Sequence, residues 1–162
     1  MSDFYTEQLV KQKTKAKSTV IMAGMIAVTV LSFILVVLIP YGIIAPLVLI
    51  VVDTQVAKRL NLEFEYLYVN GDLDIDKIMA KSRRKRIFST NVREIEVVAP
   101  KGSVEVHQYQ NLKAKDYSSN QEGNSIYEMI VIRNGEKIRV FFEPNKTILD
   151  GIKMMAPRKV FV

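Results

Sequence analysis

The sequence predicts an α+β protein. An N-terminal transmembrane helical hairpin is followed by a small antiparallel β-sheet, or split barrel, of about seven strands with a C-terminal capping helix. Three observations predict this. From Ser18 to Val52 run 35 residues without a charge, 27 of them apolar. Two Asn-Gly dipeptides, 70–71 and 134–135, each separate two alternating apolar runs. The last apolar cluster, Ile148, Leu149, Ile152 and Met155, has the spacing of one helix face.

The first apolar run, residues 18–39, is 22 residues long. At about 1.5 Å per residue it reaches about 33 Å, enough for a hydrocarbon core of about 30 Å. Only small residues (Ser18, Thr19, Gly24, Thr29, Ser32) interrupt it, so it lacks the polar stripe of a soluble surface helix. Pro40, Tyr41 and Gly42 then mark a turn. A second run crosses only if it extends from Ile43 to Leu60, 18 residues that include Asp53. Counted from Lys58, Asp53 falls about 7–8 Å inside the expected membrane edge. An acid there reads as an interfacial group near the end of a short span, or as a candidate intramembrane polar residue in an ion path. Lys11, Lys13, Lys15 and Lys17 precede the first run, and Lys58 and Arg59 close the second. By the positive-inside rule both flanks are cytoplasmic. The domains expected are thus a basic cytosolic segment 1–17, a hairpin 18–60 and a β domain 61–162, anchored in the plasma membrane.

The β domain opens with Glu63–Val69, Asn70-Gly71 and Asp72–Met79. Asn-Gly fits a type I′ turn, which needs positive φ at both central residues. The two-residue loop sets Tyr68 opposite Leu73 and Tyr66 opposite Ile75. Phe64, Tyr66, Tyr68, Leu73 and Ile75 then share a core face, and Glu63, Glu65, Asp74 and Asp76 an acidic, wet one. The second Asn-Gly pairs Val131 with Ile138, Met129 with Val140 and Tyr127 with Phe142. Ile87–Phe88, Val92–Val98 and Ser103–Tyr109 read as further short strands. Pro100-Lys101-Gly102 reads as a turn, and 110–125 as a polar loop. Asn145 is positioned to cap the last helix, and Pro157 stops it.

Several chemistries are excluded. The chain has no Cys and one His, which removes disulfides, thiolate metal sites and thiol catalysis. No phosphate loop, dinucleotide loop or nucleophile elbow is present. No catalytic, metal or cofactor residues are assigned. Asp72, Asp74 and Asp76 imitate the start of a calcium loop, but Lys77 and Arg83 stand where Gly and Glu are required. His107 reads as a surface residue.

The sharpest cluster is Lys81, Arg83, Arg84, Lys85 and Arg86. It is the candidate lipid- or partner-binding set, directed at anionic head groups of the inner leaflet or at a protein partner; the bland alternative is a solvated strand or turn that balances the acidic face. No aromatic interleaves it, so nucleic acid is not the expected partner. The basic RKRI stretch after the first hairpin, the Ile-Glu-Val-Val strand that follows and the closing helix resemble a bacterial pleckstrin-homology-like domain. MSDFYTEQLVKQKT, FEYLYVNGDLDIDKIMAKSRRKRI and EPNKTILDGIKMMAPRKVF are similar to an uncharacterised family of two-span membrane proteins of Gram-positive anaerobes. The resemblance implies a fold and no activity. Together these readings point to a membrane-anchored, non-enzymatic interaction or regulatory module. Alternatives are a subunit of a transport or channel assembly using Asp53, and a membrane-bound enzyme, disfavoured because no catalytic set assembles.

Overall fold

The computed structural model describes residues 4–13, 16–60, 62–79, 83–121 and 123–162, without the side chains of Lys17 and Arg59. The chain divides into two units, Met1–Gln12 with Glu63–Val162, and Lys13–Leu62.

The second unit is helical. It contains α1 (Ala16–Ser32), α2 (Ile34–Leu38) and α3 (Ile44–Leu60), with α1 packed against α3. Ser32 Oγ donates to the Thr29 carbonyl at 2.6 Å. Such back-bonding competes with the helical ladder, and the α1–α2 break at Phe33 follows at once. The Gly42 amide donates to the Ile39 carbonyl at 2.9 Å, and a Cβ on Gly42 would lie 1.8 Å from the Leu35 carbonyl oxygen. Only glycine permits this return past α2. Pro46 sits in the first turn of α3, where its missing amide costs no intrahelical bond. Among the described residues one helix, Ser18–Leu38, is long and apolar enough to cross a membrane, with 6% of its apolar stretch buried. The 17-residue α3 includes Asp53, Lys58 and Arg59.

Among the described residues the other unit holds eight strands where about seven were expected. Sheet A has the order β1 (Tyr5–Lys11), β2 (Leu62–Val69), β3 (Asp72–Met79), β4 (Arg83–Asn91). Sheet B has the order β5 (Ile95–Pro100), β7 (Tyr127–Arg133), β8 (Glu136–Phe142), β6 (Ala114–Asp116). It is antiparallel except for β6, which runs parallel to β8. Both Asn-Gly turns form as expected, with φ of 47° and 98° at Asn70 and Gly71, and 52° and 80° at Asn134 and Gly135. The register of β7 and β8 is the one expected: Tyr127 opposes Phe142, Met129 opposes Val140 and Val131 opposes Ile138.

Three expectations are corrected. Tyr5–Lys11, expected within a segment apart from the β domain, is β1; Tyr5 pairs with Val69 and Lys11 with Glu63. Its partner follows the helices, so local sequence carries no trace of the pairing. Ser103–Tyr109 is not a strand: Val104–Tyr109 is a 3₁₀ turn. It buries Val106 and Tyr109, three apart as that helix requires, and leaves Val104 87% exposed. His107 is exposed on it, as expected. The Val92–Val98 strand begins only at Ile95, because the Glu94 amide closes a turn onto the Asn91 carbonyl at 2.9 Å.

Both sheets and α4 (Lys146–Met155) share one core, built from Tyr66, Tyr68, Leu73, Ile75, Met129, Phe142, Ile148 and Ile152 among others. Asn145 caps α4, its side chain accepting from the Ile148 amide at 2.9 Å. Gly151 lets α4 approach β2: a Cβ there would lie 2.6 Å from the Tyr68 ring and 2.8 Å from the Phe4 ring. Gln8 ties β1 to this end of the core. Its amide donates to the Glu143 carbonyl at 2.7 Å and accepts from the Asn145 amide at 2.6 Å. Beyond the helix, the Val98 amide donates to the Lys159 carbonyl and the Phe161 amide to the Val98 carbonyl. The tail therefore packs on the edge of β5, and Val160 is buried.

Candidate functional site

Four of the five clustered bases, Arg83, Arg84, Lys85 and Arg86, lie on β4. Lys81 lies outside the described residues. The decisive local feature is a bulge. Ile75 pairs with Phe88, but the next residue, Asp76, pairs with Arg86, so Ile87 is an extra residue in β4. Side chains alternate along a strand, and a one-residue offset exchanges the faces of everything beyond it. In an unbulged ladder, Arg84 and Arg86 would share the core face of Phe88. The bulge turns them to the opposite face, and sends Arg83 and Lys85 to the extension of the core face.

On the turned face, Arg84 and Arg86 meet the acids. Arg84 Nε binds Asp76 Oδ2 at 2.5 Å, and its Nη2 contacts the Glu65 carboxylate. Arg86 Nη2 binds Asp74 Oδ2 at 2.9 Å, and its Nε lies 3.4 Å from Asp76 Oδ1. Asp76 is buried at 4% exposure. The expected wet acidic face is thus covered by two guanidiniums. Its cause is energetic: a buried carboxylate needs a paired, hydrogen-bonded partner. The hydrogen bond to Asp76, aided by Glu65, raises the Arg84 pKa above its usual value. Three carboxylates meet two arginines here, so this face carries no surplus positive charge. The same pairing occupies two of the three acids that imitate a calcium loop.

On the other face Lys77 stands directly across from Lys85, and Met79 across from Arg83. Arg83 and Lys85 are exposed and Lys77 half-buried. Among the described residues none of these three makes an ion pair. Sequence reading missed Lys77, because it lies outside the basic run; its strand register with Lys85 is the signal that places it there. Sequence reading also missed Glu128 and Arg139. Glu128 is fully buried and receives Arg139 Nε at 2.6 Å. Arg139 Nη1 also donates to the Gln110 carbonyl at 2.8 Å, and the stretch expected as a polar loop instead contains the short strand β6 (Ala114–Asp116), held by its parallel pairing with β8.

Tyr66 is a second organiser. Burial raises its phenol pKa well above the usual value. Its hydroxyl donates to the Tyr117 carbonyl at 2.7 Å and accepts from the Glu143 amide at 3.1 Å. The buried Glu143 carboxylate accepts from the Ser119 amide and hydroxyl at 3.0 and 2.7 Å. These contacts are structural: they hold Tyr117 and Ser119 against the core.

Asp53 belongs to the helical unit. Thr29 Oγ1 donates to Asp53 Oδ2 at 2.7 Å. Thr29 stands one residue past the middle of the 21-residue stretch Ser18–Leu38. Among the described residues Asp53 Oδ1 is buried without a hydrogen-bond partner, beside a groove of about 180 Å³ lined by Met22, Met25, Ile26, Val56 and Ala57.

Two four-stranded sheets around one core, closed by a capped C-terminal helix, define the β unit as a pleckstrin-homology-like domain. The chain belongs to the family described as Bacterial PH-like domain (DUF6106), whose model matches residues 2–162. No curated protein and no solved structure matches the chain.

Proposed function

We propose that the protein is a membrane-anchored, non-enzymatic interaction or regulatory module, in which a two-span helical insert holds the pleckstrin-homology-like domain at the cytoplasmic face of the plasma membrane. The observation that carries this reading is the β1–β2 ladder. Strands from before and after the helical unit pair residue for residue, from Tyr5 with Val69 to Lys11 with Glu63. A folded sheet cannot straddle a bilayer, so the chain between them crosses an even number of times. Ser18–Leu38 supports one crossing: Val20, Leu31 and Val37 are 71%, 62% and 87% exposed, and leaving such a side chain in water forgoes about 1.5–3 kcal/mol. The even count supports α3 as the return crossing, with Lys58 and Arg59 at its end. The lysines of the N-terminal flank put both ends inside.

A second reading is a subunit of a transport or channel assembly, favoured by the buried Asp53 Oδ1, which has no hydrogen-bond partner among the described residues. Asp53→Asn separates the two: the module keeps its phenotype, whereas the transport subunit loses it.

The chain has no native Cys, so topology is tested with Pro40→Cys and Lys101→Cys and a membrane-impermeant thiol reagent. Labelling at position 40 in intact cells, and at 101 only after permeabilisation, is the expected result. Labelling at 101 in intact cells overturns the cytoplasmic assignment. Labelling at both only after permeabilisation overturns the crossing.

A further inference from the structure

We infer that Lys77, Arg83 and Lys85 form a contact face for the phosphate head groups of anionic lipids, and that Arg84 and Arg86, their neighbours in sequence, take no part. The inference rests on the membrane-anchored reading above. Three observations carry it. Bases already neutralised by acids add nothing to an external anion, and the bulge removes Arg84 and Arg86 from the account in that way. Lys77 and Lys85 are a directly opposed like-charge pair, an arrangement that destabilises a ladder unless an anion lies against it. The face is also at the tethered end of sheet A. The chain leaves this unit after β1 and re-enters it at β2, where Lys11 opposes Glu63. The 70–71 turn is at the far end, and β3 runs back from it to Lys77 and Met79. Leu60 ends α3 and Leu62 opens β2, so the chain enters sheet A at this end directly from the helical segment.

The chemistry required is a surface of monovalent phosphate diesters, met by three bases with no acid between them. Juxtamembrane bases contribute about 1 kcal/mol each near an anionic leaflet, and 1.4 kcal/mol is tenfold, so removing all three shifts the docked population about 100-fold.

The test uses the full chain in nanodiscs of phosphatidylcholine alone, and of phosphatidylcholine with phosphatidylglycerol, read by amide hydrogen exchange across β3 and β4. The expected result is slower exchange in the anionic discs. That protection is lost by about 100-fold in Lys77→Gln/Arg83→Gln/Lys85→Gln and on raising salt, and kept in Arg86→Gln. Arg83 and Lys85 are exposed and Lys77 half-buried, none of the three is in an ion pair among the described residues, and circular dichroism checks that the variant folds. Protection that survives the triple variant, or is lost only with Arg86→Gln, overturns the assignment. Equal protection by inorganic phosphate with neutral discs makes the ligand a soluble phosphate and overturns the lipid assignment. A chain that stays in the disc without protection overturns the face alone; a chain that leaves the disc overturns the anchor.

Discussion

The two faces of the β3–β4 ladder carry bases drawn from one short stretch of sequence and treat them oppositely. On one face Arg84 and Arg86 are spent on Glu65, Asp74 and Asp76. On the other, Lys77, Arg83 and Lys85 meet no acid among the described residues. A run of charge is therefore not one feature. Strand alternation divides it, and the bulge at Ile87 decides which member goes where.

The comparison is sharpened by grading charges from fully enclosed to open. The largest effect is expected at the interior pair. Arg139→Met strands the fully buried Glu128, and removing one partner of such a pair costs about 3–5 kcal/mol. The denaturant midpoint measures it, and a change under 1 kcal/mol would show that Glu128 is satisfied another way. Next comes Arg84→Gln/Arg86→Gln, which uncovers Asp76. Both arginines are about half-exposed, so the cost falls at the low end of that range, about 3 kcal/mol. Lys77→Gln/Arg83→Gln/Lys85→Gln is expected to move stability the other way. Relief of the opposed lysines is worth about 0.2–1 kcal/mol. Equal destabilisation by the two variants would erase the distinction between the faces.

The smallest effect is a pH dependence. Arg133 Nη2 binds Glu94 Oε2 at 2.9 Å, each side chain 38% exposed. The hydrogen bond from Arg133, with another from Thr90, holds the Glu94 carboxyl below its usual value. Its stabilisation is thus present above the ordinary carboxylate range and is lost as pH falls through the lowered folded value. Solvent screening limits it to about 0–1 kcal/mol. Comparing Glu94→Gln with the unmodified chain across acid pH isolates it: the two stabilities converge at low pH.

What was legible in the sequence was local. Asn70-Gly71 and Asn134-Gly135 announce their turns because positive φ at adjacent positions admits few other residues, and the two-residue loop then fixes the β7–β8 register. Asn145 caps α4 by a bond spanning three residues. Illegible were contacts that local pattern cannot encode. β1 finds its partner only beyond three helical segments. β6 joins β8 in parallel through a loop whose sequence shows no alternation. The bulge at Ile87 depends on a cross-strand contest, in which Asp74 and Asp76 draw Arg86 and Arg84 to their side. For the candidate site, the run holding Arg83 to Arg86 was evident, but neither its division into a neutralised and a free half nor the place of Lys77 beside it was. The Thr29–Asp53 bond was likewise hidden, because only the packing of α1 on α3 brings those residues together.

The β1–β2 ladder also dictates an order of events at the ribosome. β1 is synthesised before the helices, yet its partner emerges only after α1, α2 and α3 have been made. Until then its outward-facing Tyr5 and Leu9 and its core residue Val10 belong to a strand with nowhere to pair. The sheet can close only when translation has passed Val69, so the β unit matures after the helical unit, and a strand made before the helices is fixed only after them.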